Sequence, residues 1–398
     1  MAGGGDPPPA AFLARLAYRL SDGNPIMEIS PQLTTDPQRG VASALASIGR
    51  ERAGEVLTVA ATALFVAALL IQALYAAGVI GIGFANWRPV LYAYVAWAVA
   101  LGVAQVLKRG EAGQKALFLF PALHFTIAMV VFPTFFGFYI ALTDWNLSSF
   151  AGRKFSGFAN LQALMSDPYY WNALRNMIYY VLAVLVQYAI AFGLALLLNA
   201  DIRGRKFFRV AFLLPFMLSP VAVSWMIGKS LLEYRYGPAA TLARFLGWDS
   251  PAFFASPWIA RLSIMAMDAW VSIPFVVILL LAGLQALPKD VSEAAKIDGA
   301  SPWQSFWQIT FPLMLPVSIT AIVLRIIFEL KLADIVINVT SGGPGGATDT
   351  VTSFIYREYR DRSNVGYGTM LAEFYLVMIV IFITLLLNWV SRYMKRMT

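Results

Sequence analysis

The sequence contains no cysteine, and His124 is its only histidine. Without cysteine the chain has neither a disulfide framework nor thiolate chemistry. One histidine with no second histidine or cysteine gives no ligand pattern for a metal ion. We therefore predict no metal site and interpret His124 as a packed helix residue.

Charged residues are also scarce, at 13% of the chain, whereas hydrophobic residues make up 59% and the mean hydropathy is +0.67. A soluble domain carries about 25% charged residues, so this composition indicates a polytopic membrane protein. The net charge is +8, but the lysines and arginines form short clusters beside apolar runs. This pattern orients membrane spans and argues against nucleic acid as a partner.

Eight apolar runs are long enough to cross a bilayer, which requires about 20 residues per helix. The chain is therefore predicted to be an all-α polytopic membrane protein with eight transmembrane helices. We place the spans near residues 56–83, 87–107, 116–142, 176–199, 208–232, 259–287, 310–330 and 368–390.

Basic residues follow the second, fourth and eighth spans, and such residues remain on the cytoplasmic side. They are Lys108, Arg109, Lys115, Arg203, Arg205, Lys206, Arg209, Arg392, Lys395 and Arg396. Both termini are therefore predicted to be cytoplasmic, with residues 1–53 as a cytoplasmic tail. Within that tail, AFLARLAYRL is compatible with an interfacial amphipathic helix or with disorder.

The connection between the sixth and seventh spans carries strong local helix signals. Asp290 is predicted to cap a short helix that Gly299 ends in a left-handed conformation. Ser301 is predicted to cap a second short helix, with Pro302 at its first position and Gln304 completing a capping box. From these local features alone, an amphipathic loop on lipid headgroups and a docking element for a partner protein remain equally open.

The same connection resembles the EAA loop of permease subunits in binding-protein-dependent ABC importers. Phe311 replaces the leucine usual in that family. The matching positions are Glu293, Ala294, Ala295, Gly299, Ile309 and Pro312. The longer run LAGLQALPKDVSEAAKIDGASPWQSFWQITFPLMLP, together with WVSIPF and SGGPGGATDT, resembles the maltose and glycerol-phosphate branch of carbohydrate uptake systems. The resemblance covers residues 112–398, which leaves residues 54–111 as two additional membrane helices.

The resemblance implies a type I ABC importer permease fold and a non-enzymatic transport subunit in the bacterial inner membrane. The chain has no G-x-x-x-x-G-K-[ST] sequence, so ATP and Mg would be used by a partner ATPase dimer. A second homologous permease and a solute-binding protein are the other implied partners, and no cofactor is expected on this chain. The loop near 288–310 would couple to the ATPase through Glu293, Ala294, Ala295, Asp298, Gly299 and Trp303.

Ionisable residues inside spans are costly and usually functional. Lys229, Asp268, Arg325 and Glu329 are the ones predicted there. Asp268, Arg325 and Glu329 lie at similar depth by residue count, and either structural ion pairing or a solute path explains them. By resemblance, Phe275 joins these residues in the solute path. The implied solute is a sugar, a polyol or a sugar derivative, including an anionic one.

Two further interpretations concern the outward loops and a different class of transporter. SGGPGG lacks the strand and helix of a phosphate-binding loop, and we predict an outward turn or receptor contact there. A proton-coupled secondary transporter would explain the intramembrane carboxylates but not the EAA-like connection.

Overall fold

The structure is a computed structural model that describes residues 37–76, 79–150 and 152–394. The chain divides into two compact units, with the boundary between Pro133 and Thr134. Residues 1–36, which include most of the predicted tail and the segment AFLARLAYRL, lie outside the described residues. The end of that predicted tail, residues 37–53, is helical.

The first unit consists of long helices joined by short connections. They are α1 (Pro37–Ala76), α2 (Arg88–Arg109) and the beginning of α3 (Glu111–Ala141). α1 packs along α2, and α2 packs along α3. In the connection between α1 and α2, the buried Gln72 side chain pairs with the backbone of Phe84: the Phe84 N–H donates to Gln72 Oε1 over 2.9 Å.

The histidine of the first unit is a packed residue. The His124 ring stacks on Phe120, with 5.0 Å between the ring centroids, and lies beside the rings of Tyr94 and Trp97. Its Nδ1 is 2.9 Å from the Phe120 carbonyl oxygen. These contacts hold α2 and α3 together.

The second unit contains the remaining elements, beginning with the end of α3. They are β1 (Thr143–Asp144), β2 (Lys154–Phe155), α4 (Ala159–Ser166), α5 (Pro168–Asn199), α6 (Arg205–Ala211), α7 (Leu214–Met217), α8 (Pro220–Val223), a π-helix (Ser224–Leu231), α9 (Pro238–Phe245), α10 (Pro257–Ala286), α11 (Lys289–Ile297), α12 (Pro302–Glu329), α13 (Asp334–Val339), α14 (Val351–Arg360) and α15 (Val365–Met394). The two short strands pair antiparallel.

The core of the second unit is built around α10, which packs against both α5 and α12. Small residues allow these helices to approach closely. Ala191 and Ala195 on α5 are fully buried. On α10, a Cβ at Gly283 would lie 2.9 Å from the side chains of Met314 and Val317. Larger residues at these positions would force the helices apart.

Seven helices of the described chain are long and apolar enough to cross a membrane. An eighth span is formed only if the segments Arg205–Met217 and Pro220–Leu231, bent by 94°, are counted together. The predicted fifth span over 208–232 thus corresponds to two segments with a sharp bend between them. Pro215 and Pro220 flank the break, and proline lacks the amide hydrogen that would continue the backbone bonds.

Candidate functional site

The EAA-like connection forms the helix α11 and a tight turn. The turn is a Schellman motif: Ala300 N donates to Ala295 O over 3.0 Å, and Gly299 N donates to Lys296 O over 3.1 Å. Gly299 has φ +74°, so the predicted left-handed ending is confirmed. The predicted cap at Asp290 is wrong, because the helix begins at Lys289, two residues earlier than that cap implies, and its N-cap is Pro288.

The second predicted start signal is present. Ser301 Oγ accepts from Gln304 N over 3.3 Å, and Ser301 N donates to Gln304 Oε1 over 2.8 Å, which completes the capping box. The helix that follows is not short, however. It passes through a π-helical turn at Phe306–Thr310 and continues as the membrane span α12 to Glu329. α11 is therefore connected to a span at each end, through residues 287–288 on one side and through the turn 298–301 on the other.

An aromatic cluster fixes this start of α12 to the bundle. Trp303, Phe306, Trp307 and Phe311 form successive ring contacts, of which Phe306 with Trp307 is the closest, at 4.9 Å between centroids. Phe306 also meets Phe192 on α5 edge-on at 5.6 Å. The aromatic cluster thus connects the start of α12 to α5.

The residues predicted to couple to an ATPase lie mainly on the surface. Glu293, Ala294, Asp298 and Gly299 are exposed, and only Ala295 is buried. Two apolar side chains beside them are also open: Ile297 is 85% exposed and Trp303 is 70% exposed. An exposed carboxylate next to exposed apolar groups is a typical composition for a protein contact.

The intramembrane charges form a polar cluster of four residues. The Arg325 guanidinium on α12 is ion-paired with Asp268 on α10 and with Glu329 one turn along its own helix. Gln187 on α5 bridges the first pair: its Nε2 donates to Asp268 Oδ2 over 2.9 Å, and its Oε1 accepts from Arg325 Nε over 2.9 Å. The polar cluster thus connects three spans.

All four side chains of the polar cluster are buried. Ser272 Oγ also donates to Asp268 Oδ1, over 3.4 Å. Arg325 therefore already has two carboxylate partners and an amide acceptor. Such mutual satisfaction favours the structural interpretation of these charges, since an unpaired charge in the membrane is costly.

The other two residues of the predicted solute path lie apart from the polar cluster. Lys229 is exposed, and its ammonium donates to the Val339 carbonyl over 2.9 Å. Phe275 is half-buried and lies between two rings, stacked on Phe216 at 5.5 Å and edge-on to Phe328 at 5.5 Å. Of the five residues predicted for the solute path, the structure therefore brings three into contact: Asp268, Arg325 and Glu329.

The glycine-rich loop (341–350) is held against the spans by side chains that the sequence interpretation missed. Asn176 on α5 donates to the carbonyls of Gly346 and Asp349, over 2.8 and 3.0 Å. Arg261 on α10 donates from Nε to Ala347 O over 2.7 Å and from Nη2 to Asn176 Oδ1 over 3.2 Å. The loop is thus an integral part of the helix bundle.

The anchors on α5 leave a readable signal in the sequence. Asn172, Asn176 and Tyr180 are spaced by four residues and all donate to the glycine-rich loop. Gln187 lies two turns further along the same stripe. Because these polar residues recur at helical spacing within an apolar run, they indicate one face of α5 directed into the protein.

Residues 160–397 match the family model described as binding-protein-dependent transport system inner membrane component. The chain belongs to this family. The trehalose/maltose transport system permease protein MalF of Thermococcus litoralis is 31% identical over 277 residues, covering 69% of this chain and 93% of that protein. This agreement confirms the family resemblance of the EAA-like connection.

Other relatives of this permease belong to further uptake systems. The sulfoquinovosyl glycerol transport system permease protein SmoG of Agrobacterium fabrum is 31% identical, covering 67% of this chain and 86% of that protein. The sn-glycerol-3-phosphate transport system permease protein UgpA of the same organism is 33% identical, covering 57% of this chain and 77% of its own length.

A solved structure has the same fold. It is a chain of a bacterial alginate ABC transporter, which was solved in complex with an alginate pentasaccharide-bound periplasmic protein. The two chains superpose with a TM-score of 0.60 at 19% sequence identity. The match covers 77% of this chain and 97% of that chain. The permease therefore has the type I importer fold. It is a multi-pass inner membrane protein and a non-enzymatic transport subunit, and this assignment replaces the alternative of a proton-coupled secondary transporter.

Proposed function

We propose that this permease is the membrane subunit of an ATP-driven importer and that α11, with the first turn of α12, binds a cytoplasmic ATPase dimer. The observation that carries the proposal is the exposure of Glu293, Ile297 and Trp303 on an element joined to a span on each side by four residues or fewer. The proposed contact residues are Glu293, Ala294, Asp298, Gly299 and Trp303, and the buried Ala295 packs the same helix against the protein. Their location on the ATPase side requires both termini to be cytoplasmic.

Energy enters this arrangement from outside the chain. The sequence has no phosphate-binding loop, so ATP and Mg are bound by the ATPase partner. Closure of the ATPase dimer moves α11, and the Schellman turn and aromatic cluster transmit that movement to α10, α12 and α5. A rigid element with two discrete positions is sufficient for such coupling.

Two further partners complete the importer. A second, homologous permease forms the other half of the pore, and a solute-binding protein delivers the solute. The family description and the periplasmic protein in the alginate transporter support the binding protein. We assign the permease function to residues 112–398 and a supporting function to the helices over 54–111.

The transported solute is a sugar, a polyol or a sugar derivative. The relatives are named as transporters of trehalose and maltose, of sulfoquinovosyl glycerol and of glycerol phosphate. Within this range we favour a neutral solute, because Arg325 is already paired with two carboxylates and the polar cluster therefore has no free cation to bind an anionic group. The remaining solute-path candidates, Phe275 and Lys229, lie outside it.

Charge reversal at Glu293 tests the coupling. In the complete importer reconstituted in liposomes, Glu293→Lys should leave the ATPase able to hydrolyse ATP but lower uptake about tenfold or more, because like or unpaired charges at an interface cost several kcal/mol. The matched control is Glu111→Lys, the same reversal at an exposed glutamate of α3. Normal uptake by Glu293→Lys would remove the main support for docking at α11.

The solute class is tested separately. Uptake and solute-stimulated ATP hydrolysis should respond to neutral disaccharides or polyols in the presence of the cognate binding protein. A response confined to sugar acids or sugar phosphates would contradict the neutral assignment and leave the coupling proposal intact.

A further inference from the structure

The short helix α9 (Pro238–Phe245) lies at the end of the bundle opposite α11. It precedes the first residue of α10, whereas α11 follows the last. α10 has 30 residues, so the two short helices are separated by roughly 45 Å of helix. α9 packs against the π-helix Ser224–Leu231, which ends the broken span.

One face of α9 is closely packed against the rest of the unit. Ala240 is fully buried. At the preceding Gly237, a Cβ would lie 2.4 Å from the Glu233 carbonyl oxygen, so the chain turns too tightly there for a side chain. Arg244, the one charged residue of α9, directs its guanidinium to the carbonyls of Tyr234 and Arg235. These contacts determine which face of α9 is directed towards the protein.

The opposite face of α9 is apolar and open. Leu242, Phe245 and Leu246 are 59%, 87% and 75% exposed. With Pro238 and Thr241 they follow the i, i+3, i+4, i+7, i+8 spacing of one helix face, and none of the five is charged. A helix whose outer face is apolar and whose inner face is alanine is turned towards a medium less polar than water.

We propose that α9 lies in the lipid interface of the bilayer, with Leu242, Phe245 and Leu246 inserted among the acyl chains. The chain leaves a membrane segment at Leu231 and enters the next at Pro257, so α9 is tied to the membrane boundary on both sides. The flanking Tyr234, Tyr236 and Trp248 are also exposed, and exposed aromatic residues are enriched at that boundary.

The extent of the open face favours lipid over a protein partner. A stable protein contact buries about 800 Å² on each partner and uses 20 or more residues a side. The apolar stripe of α9 has three large side chains. An interfacial helix requires no more than such a stripe, because the bilayer supplies a continuous apolar phase.

The absence of cysteine makes the proposal directly testable. Single cysteines at Leu242→Cys and Phe245→Cys are labelled with a nitroxide, and the complete importer is reconstituted in vesicles of phosphatidylethanolamine and phosphatidylglycerol. The collision rates of the label with oxygen and with a water-soluble nickel chelate are measured by power saturation. Leu385→Cys, on an exposed position within α15, is the lipid reference, and Asp361→Cys, on an exposed turn, is the water reference.

We expect the oxygen-to-nickel ratio at 242 and 245 to shift from the value of Asp361→Cys towards that of Leu385→Cys. A ratio equal to the water reference would overturn the proposal. Low collision rates with both reagents would also overturn it, because they would show that a second protein chain covers the face. The outcome is independent of the docking of α11 and of the solute.

Discussion

Arg325 on α12 is ion-paired with Asp268 on α10, and Gln187 on α5 bonds to both members of the pair. One guanidinium therefore connects three spans inside the membrane. Two of these spans, α10 and α12, flank α11. The mutual pairing of these side chains is the physical basis for treating the charges as structural.

Removal of the guanidinium should destabilise the permease strongly. Arg325→Met leaves Asp268 and Glu329 buried without their cation, and breaking a buried ion pair in this way costs about 3–5 kcal/mol. We expect a marked loss of thermal stability of the purified protein in detergent. The double variant Arg325→Met, Asp268→Asn should recover part of that loss, since it removes one of the stranded charges.

The same variants separate structure from solute recognition. If the polar cluster is structural, uptake by Asp268→Asn falls only in proportion to the amount of folded importer in the vesicles. A change in solute preference with unaltered protein stability would instead assign Asp268 to the solute path.

Asn176→Leu should loosen the glycine-rich loop. The variant removes the side-chain donor to Asp349 O and one of the two side-chain donors to Gly346 O, and a buried polar group left unpaired costs about 1–3 kcal/mol. Hydrogen–deuterium exchange of residues 341–350 should accelerate. Asn172→Leu is the matched control, because Asn172 makes one bond to the loop, 2.7 Å to Gly346 O, from a less buried position. Equal exchange in both variants and the unaltered chain would show that the loop is held by other contacts.

Local chemistry made part of this architecture predictable. The left-handed Gly299 and the capping box at Ser301 follow from residues within four positions of one another, and both are present. Asp290 failed as a cap because aspartate is equally suited to the first helical turn, where it interacts with the helix dipole. Local signals thus identify an element more reliably than its first residue.

Features that depend on tertiary contacts were harder to predict from the sequence. Hydropathy over 208–232 is that of a span and gives no sign of a 94° bend, although Pro215 and Pro220 mark its location. Gln187 was missed because only ionisable residues within the spans were selected, and its amide is uncharged. Its function emerges only when α5, α10 and α12 are brought together.

Two glycines should respond differently to the addition of a methyl group. Gly366→Ala places a Cβ 2.0 Å from the Thr143 carbonyl oxygen, in a segment where Gly366 N donates to Trp145 O over 2.9 Å, so we expect a severe loss of folded protein. Gly299→Ala meets open space and should cost only the left-handed conformation, about 1 kcal/mol. The yield and melting temperature of both variants in detergent measure the difference, and similar values would contradict the steric argument.

Trp303 should matter for assembly and not for folding. Its indole is 70% exposed and lies at the edge of the aromatic cluster, so Trp303→Ala should lower the thermal stability of the isolated permease only slightly, through its lost ring contacts with Phe306 and Trp307. If the indole is buried by the ATPase, its removal should cost about 2 kcal/mol of binding, or roughly thirtyfold in affinity, as for an aromatic residue at the centre of an interface. Titration of the purified ATPase onto the permease in nanodiscs measures this affinity.

Trp225→Ala is the matched control, because Trp225 is similarly exposed on the broken span, away from α11. A loss of affinity in Trp303→Ala alone would locate the contact at the start of α12, whereas unchanged affinity in both variants would place the ATPase on a different surface.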